Sequence, residues 1–74
     1  MSLRWTHTPD GPQCEVRWRD VTGRHRAKRF ALYDDAMRFD VAMQAWLAKR
    51  RGAAQWERIA PELREWALGF SEFN

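Results

Sequence analysis

At 74 residues, 45% of them hydrophobic, this chain has the size of one small domain, close to the lower limit at which a single core offsets chain entropy. A lone cysteine excludes an internal disulfide framework, and no apolar run approaches the roughly 18 residues of a membrane-spanning helix. The net charge of +3 is unevenly spread: residues 1–31 carry seven cations and three acids, residues 32–52 four and three, residues 53–74 two and four.

The amino terminus lacks the charged-then-apolar layout of a secretion signal, so a soluble protein of the reducing cytoplasm, including one gathered on a host nucleoid, is expected. No membrane partner and no small-molecule substrate are expected. Five Trp and four Phe provide the apolar area that packing needs in place of staples.

Leu3-Arg4-Trp5-Thr6 suits a short first strand, in which Trp5 fits either face. Thr8-Pro9-Asp10-Gly11-Pro12 then signals a tight reversal. The next run alternates with period two: Cys14, Val16 and Trp18 on one face, Glu15, Arg17 and Arg19 on the other. Asp20-Val21-Thr22-Gly23 supplies a hairpin loop in which Gly23 can take positive φ, and a third strand returns to Phe30.

Two registers are compatible with that hairpin. A four-residue loop pairs Arg19 with Arg24 and places Arg26 and Lys28 beside Arg17. A five-residue loop pairs Arg19 with His25 and places Ala27 and Arg29 there instead, with Phe30 joining Cys14, Val16 and Trp18. A one-residue slip inverts every side chain, but Arg17 and Arg19 point outward in both.

From Tyr33 to Arg51 the period becomes helical, with Ala36, Phe39, Met43, Trp46, Leu47 and Arg50 on one stripe and Met37, Val41, Ala45 and Ala48 on a second. Asp34-Asp35 suit its first turn, Lys49-Arg50-Arg51 its last, and Gly52 its carboxy-terminal cap. Trp56, Ile59, Leu63, Trp66 and Phe70 form a further helical stripe that Pro61 interrupts, which predicts two short helices or a restart at Pro61.

The fold class is therefore α+β: a three-stranded antiparallel sheet packed on one long helix over residues 1–52, with a short helical extension over residues 53–74 completing the same domain. One sheet face is left bare, and it carries the arginines.

The hairpin from Cys14 to Phe30 holds six cations, Arg17, Arg19, Arg24, Arg26, Lys28 and Arg29, against Glu15 and Asp20. Like charges facing each other across strands destabilise a hairpin by several tenths of a kcal/mol per pair. A polyanion would offset that, and nucleic acid is the obvious one, because neutralising phosphates releases condensed counterions. Arginine outnumbers lysine here five to one, and its guanidinium fork binds phosphate or guanine in a bidentate way. Trp18, alternating with Val16 and Cys14, suits a core more than a base-stacking platform, which argues against single-strand or RNA-type recognition.

Metal binding is not expected, since His7, Cys14 and His25 are the only soft ligands and their spacing matches no zinc site. No cofactor loop, nucleophile motif or paired-carboxylate arrangement is present, so neither a cofactor nor catalysis is expected. Asp34-Asp35 suits a helix start, and Glu62 with Glu65 a polar helical flank.

The segment VRWRDVTGRHRAKRF followed by Asp35-Ala36-Met37-Arg38-Phe39 resembles the amino-terminal arm-type DNA-binding domain of phage and integrative-element tyrosine recombinases. Val16, Arg17, Trp18, Asp20, Gly23, Arg24, Lys28, Phe30, Ala36 and Phe39 fall on that family's pattern, within residues 3–50. Leu32 and Tyr33 depart from it, standing where the family has a Thr or Ser helix cap, and a Trp-rich acidic tail follows in place of a catalytic domain. The resemblance implies a three-stranded sheet laid into the major groove of double-stranded DNA, in an accessory or regulatory factor of a phage or mobile element.

Arg17, Arg19, Arg26 and Lys28 are then the leading base or phosphate contacts, with His25 and Arg29 as further ones. Arg4, Thr22, Arg24 and the Lys49-Arg50-Arg51 cluster hold the DNA backbone. An alternative class is a protein-interaction module that meets a host or recombination protein through Trp66, Phe70 and Phe73 of the tail.

Overall fold

A computed structural model describes residues 2–73, and it shows the expected α+β arrangement. Its elements run β1 (Ser2–Thr8), β2 (Gly11–Arg19), β3 (His25–Phe30), α1 (Tyr33–Lys49), α2 (Gln55–Arg58), α3 (Pro61–Leu68) and a closing 3-10 turn (Ser71–Phe73). The strands form one antiparallel sheet in the order β1-β2-β3. The chain gathers into two compact units, residues 1–40 and 41–74. The division falls inside α1.

The first unit is built on two hairpins. Thr8 pairs with Gly11 around Pro9-Asp10, and the strands they join run further than the sequence suggests, with β1 reaching back to Ser2. Pro12 lies in β2 beyond the last residue of β3, which ends opposite Cys14, so it sits where β2 has a single neighbour strand and a missing N–H is tolerated.

The second hairpin takes the longer register: Arg19 pairs with His25, Arg17 with Ala27, Glu15 with Arg29 and Cys14 with Phe30. Inside its loop the Asp20 N–H donates to the Arg24 carbonyl (2.9 Å) and the Gly23 N–H donates to the Asp20 carbonyl (3.0 Å). Gly23 stands at φ +86°, a conformation that a Cβ disfavours.

That register decides the core. Cys14, Val16, Trp18 and Phe30 are buried on one sheet face, and α1 begins above them with Ala36 and Phe39, both fully buried. The Phe39 ring lies 5.2 Å from Trp18 and 5.2 Å from Phe30, in the tilted geometry that aromatic rings prefer. The Trp18 indole is thus a core group. With no Ser or Thr cap, the helix opens on the Leu32 carbonyl, which accepts the Ala36 N–H at 3.2 Å, and Asp34 and Asp35 complement its first turn.

The second unit packs the end of α1 with the tail. Trp46 meets Trp56 edge-on at 5.1 Å, Phe73 closes the group at 6.0 Å from each, and Trp56 and Phe73 are buried. α1 ends in a Schellman arrangement: the Ala53 N–H donates to the Ala48 carbonyl, the Gly52 N–H to the Lys49 carbonyl, and Gly52 takes φ +84°. Both outcomes foreseen for the tail occur together, since α2 and α3 are two short helices and Pro61 begins the second.

The second apolar stripe of α1 is unevenly covered. Ala45 and Ala48 are buried, but Met37 and Val41 are 42% and 45% exposed, so the second apolar stripe of α1 is covered only over its last turns.

Phe39 touches two aromatic rings in a small core, so Phe39→Ala is expected to lower the unfolding free energy by about 3–5 kcal/mol in urea denaturation. Gly23→Ala, at an open site where only the backbone angle opposes a side chain, is expected to cost about 1–2 kcal/mol. A fully neutral Gly23→Ala would show that the loop does not hold that angle.

Candidate nucleic-acid interface

Strand pleating and the longer register sort the basic residues onto two faces. The face away from Phe39 carries Arg4 from β1, Glu15, Arg17 and Arg19 from β2, and His25, Ala27 and Arg29 from β3. Arg4, Arg17, Arg19, His25 and Arg29 are all exposed. Arg26 and Lys28 pair with Trp18 and Val16 and therefore belong to the helix-bearing face. Their placement beside Arg17 is corrected by the register: Ala27 and Arg29 stand there, because a five-residue loop shifts β3 by one residue and exchanges its faces.

Each displaced cation has a local role. Arg26 Nη1 lies 3.9 Å from Asp20 Oδ2, and Lys28 is half-buried with its ammonium 5.9 Å from the Phe30 ring centre. Thr22 and Arg24, expected to grip a DNA backbone, hold the loop: Asp20 Oδ1 accepts the Thr22 N–H (2.9 Å), the Thr22 hydroxyl (2.6 Å) and the Arg24 N–H (3.0 Å). The Arg24 side chain stays exposed. These bonds, the Thr22 hydroxyl foremost, keep the Asp20 carboxyl below its ordinary range.

Glu15 is the feature that sequence reasoning counted only as an opposing charge. Among the described residues it is the only acid at an outward strand position, and it is 5% exposed. One carboxylate oxygen accepts the Arg17 Nε–H, and the other accepts the Arg29 Nε–H at 3.2 Å. The Arg17 and Arg29 side chains remain 50% and 56% exposed.

The Arg17 hydrogen bond above all, then that of Arg29, holds the Glu15 carboxyl below the usual carboxylate range despite its burial. The outermost pair on the face is Arg19 Nη2 with His25 Nε2 at 3.1 Å. Glu15 and Arg17 sit two apart on a strand, a spacing that places them on one face, and this was the available sequence signal.

Lys49, Arg50 and Arg51 are exposed in the second unit. Lys49 lies 3.7 Å from Glu57, and Lys49 and Arg50 approach the Trp46 ring at 5.5 and 5.8 Å. Of the three tail aromatics put forward as partner anchors, Phe73 is withdrawn by burial against Trp46 and Trp56, whereas Trp66 and Phe70 are half-buried and stack edge-on at 4.8 Å. An apolar pair not foreseen is Trp5 over Tyr33, nearly parallel at 6.2 Å and 55% and 45% exposed.

His7 and Cys14 stand on the helix-bearing face and His25 on the other; no group of three or more His, Cys, Asp or Glu is drawn together among the described residues. Burial pushes the Cys14 thiol up, which suits an inert packing residue. No helix among the described residues is long and apolar enough to cross a membrane. Compared with protein families, curated proteins and solved structures, the chain matches none of them.

A carboxyl whose value is lowered in the folded protein contributes stability that is fully present above its unfolded value and is lost as pH falls through its folded one. Unfolding free energy is therefore expected to decline as pH falls below about 5, through the lowered native-state values of both carboxyls, and Glu15→Gln and Asp20→Asn are each expected to flatten that decline in urea titrations. An unchanged acid slope in Glu15→Gln would show that the arginines do not hold its charge in the native state.

Proposed function

We propose that the outward face of β2 and β3, with Arg4 from β1, binds double-stranded DNA sequence-specifically by entering the major groove. The observation that carries this reading is the charge arrangement of that face. Arg4, Arg17, Arg19 and Arg29 are exposed together with His25, and the single acid among them is nearly buried and hydrogen-bonded to two of the arginines.

An approaching polyanion meets guanidinium groups first. Such a surface gains from counterion release on neutralising phosphates, and a two-stranded ribbon is of a width that the major groove admits. The likeness of the hairpin and the opening of α1 to recombinase arm-type domains supports the same reading and the role of an accessory factor at a mobile element.

The tail, taken as a protein-contact surface, loses Phe73 to its own unit's core, which weakens the rival class of interaction module.

Retention on duplex DNA at about 0.1–0.2 M salt tests the proposal. The chain is expected to be retained, and Arg4→Glu with Arg19→Glu is expected to abolish retention. In a salt titration, Arg19→Ala is expected to reduce the slope of log affinity against log salt by about one unit. Lys28→Ala, on the helix-bearing face, is expected to change it far less. Equal losses from the two faces would remove this surface as the interface.

A further inference from the structure

We infer that Glu15 is a positioning residue, fixing the Arg17 and Arg29 guanidinium groups so that both read guanine edges end-on. The inference rests on the DNA reading above and names the base that the face selects.

The two carboxylate oxygens of Glu15 are divided between the two arginines, one Nε–H to each. A guanidinium is planar and rigid, so a fixed acceptor at Nε restricts the plane of the whole group. The edge bearing Nη1 and Nη2 then lies outside the carboxylate contact, and it still presents two parallel donors. Glu15 is suited to act as the fixed point, being on the central strand and nearly buried while both arginine side chains are half-exposed. The arginines thereby give up rotamer freedom on folding rather than on binding.

A phosphate accepts a fork from many directions, and even a flexible ammonium binds it as a point charge, so a fixed plane adds least there. It matters to guanine, whose O6 and N7 form a planar pair of acceptors in the major groove. Across the ribbon from Arg17 stands Ala27, the smallest side chain in that row, which leaves space beside the fork. Arg29 is opposite Glu15, and Arg17 lies two residues further along β2. Strand rise and strand spacing put such diagonal positions about 8 Å apart, and the shared carboxylate draws the two forks together, within roughly two to three base-pair rises.

A selection of bound duplexes from random DNA, made with the full chain, comes first. It is expected to enrich sites with two guanines within about three base pairs of each other. Affinities of the unsubstituted chain, Glu15→Gln and Arg29→Lys are then measured on the selected duplex, on duplexes with either guanine replaced by adenine, and on a scrambled duplex.

Glu15→Gln is expected to lose roughly tenfold or more in discrimination at both guanines while binding the scrambled duplex more tightly, having lost a negative charge. Arg29→Lys is expected to lose discrimination at one guanine only. In the free protein, the Arg17 and Arg29 Nε–H resonances are expected to stand apart from those of solvated arginines and to join them in Glu15→Gln, a readout that needs no DNA.

Equal tightening on every duplex by Glu15→Gln would make Glu15 a bystander acid and overturn the inference. Retained discrimination in Arg29→Lys, or Nε–H resonances already at the solvated position, would overturn it as well. A selected motif without guanine would overturn it while leaving the DNA reading in place, whereas failure of the unsubstituted chain to bind any duplex would overturn both.

Discussion

The register of the β2–β3 hairpin governs everything else in the first unit, and the Asp20 carboxylate is placed to hold it. Strand pairing alone discriminates poorly between neighbouring registers, since each offers a similar ladder of backbone bonds. The loop separates them. Asp20 Oδ1 gathers the Thr22 N–H, the Thr22 hydroxyl and the Arg24 N–H, and Gly23 supplies the positive φ that closes the turn behind them. With the loop so fixed, Phe30 falls opposite Cys14 and enters the core, Phe39 gains its second aromatic partner, and Arg29 rather than Lys28 arrives across from Glu15. Core composition and surface charge thus follow from one turn.

The charge problem of the hairpin is handled by sharing rather than by spacing. In the observed register Arg17 faces Ala27 and Arg29 faces Glu15, so neither arginine has another directly opposite, and Arg19 stands against the His25 imidazole. The cross-strand repulsion that six cations imply is therefore smaller than a count suggests. Arg26 is drawn toward Asp20 on the other face, which removes a further cation from the crowded side.

Much of this architecture was legible in the chain. Alternation of Cys14, Val16 and Trp18 identified the central strand, and the change to helical spacing at Tyr33 located α1, because these periods are set by which side chains face the core. The register was not legible from propensity, as Gly23 serves a loop of either length. The deciding signal was Phe30, which only the longer loop brings to the apolar face beside Trp18.

The site was correspondingly half readable: Arg17 and Arg19 are outward in any register, whereas the fates of Arg26, Lys28 and Arg29 hung on the slip. The exposure of Met37 and Val41 and the burial of Phe73 were hidden for a different reason. Sequence spacing says that residues share a helical stripe or end a chain, but not what covers them, and Phe73 is covered by Trp46 and Trp56 from distant parts of the chain.

Glu15 shows how one acid can serve folding without cancelling the field of a basic face. At neutral pH the outward strand positions carry Arg4, Arg17, Arg19 and Arg29 against that single carboxylate. Exposed among them, it would compete with an incoming anion for the same donors. It is instead 7% exposed at the side chain and bound to Nε of two arginines that are half in solvent, so its attraction acts at hydrogen-bond range while the outermost charge remains positive.

Buried charge is tolerated only when it is paired and hydrogen-bonded, and here both conditions are met by residues whose other donors lie outside the contact. Protonating Glu15 would raise the positive charge of the face and at the same time loosen the arginines that carry it. The carboxylate thus subtracts one charge from the face and at the same time holds two of the arginines that make it basic.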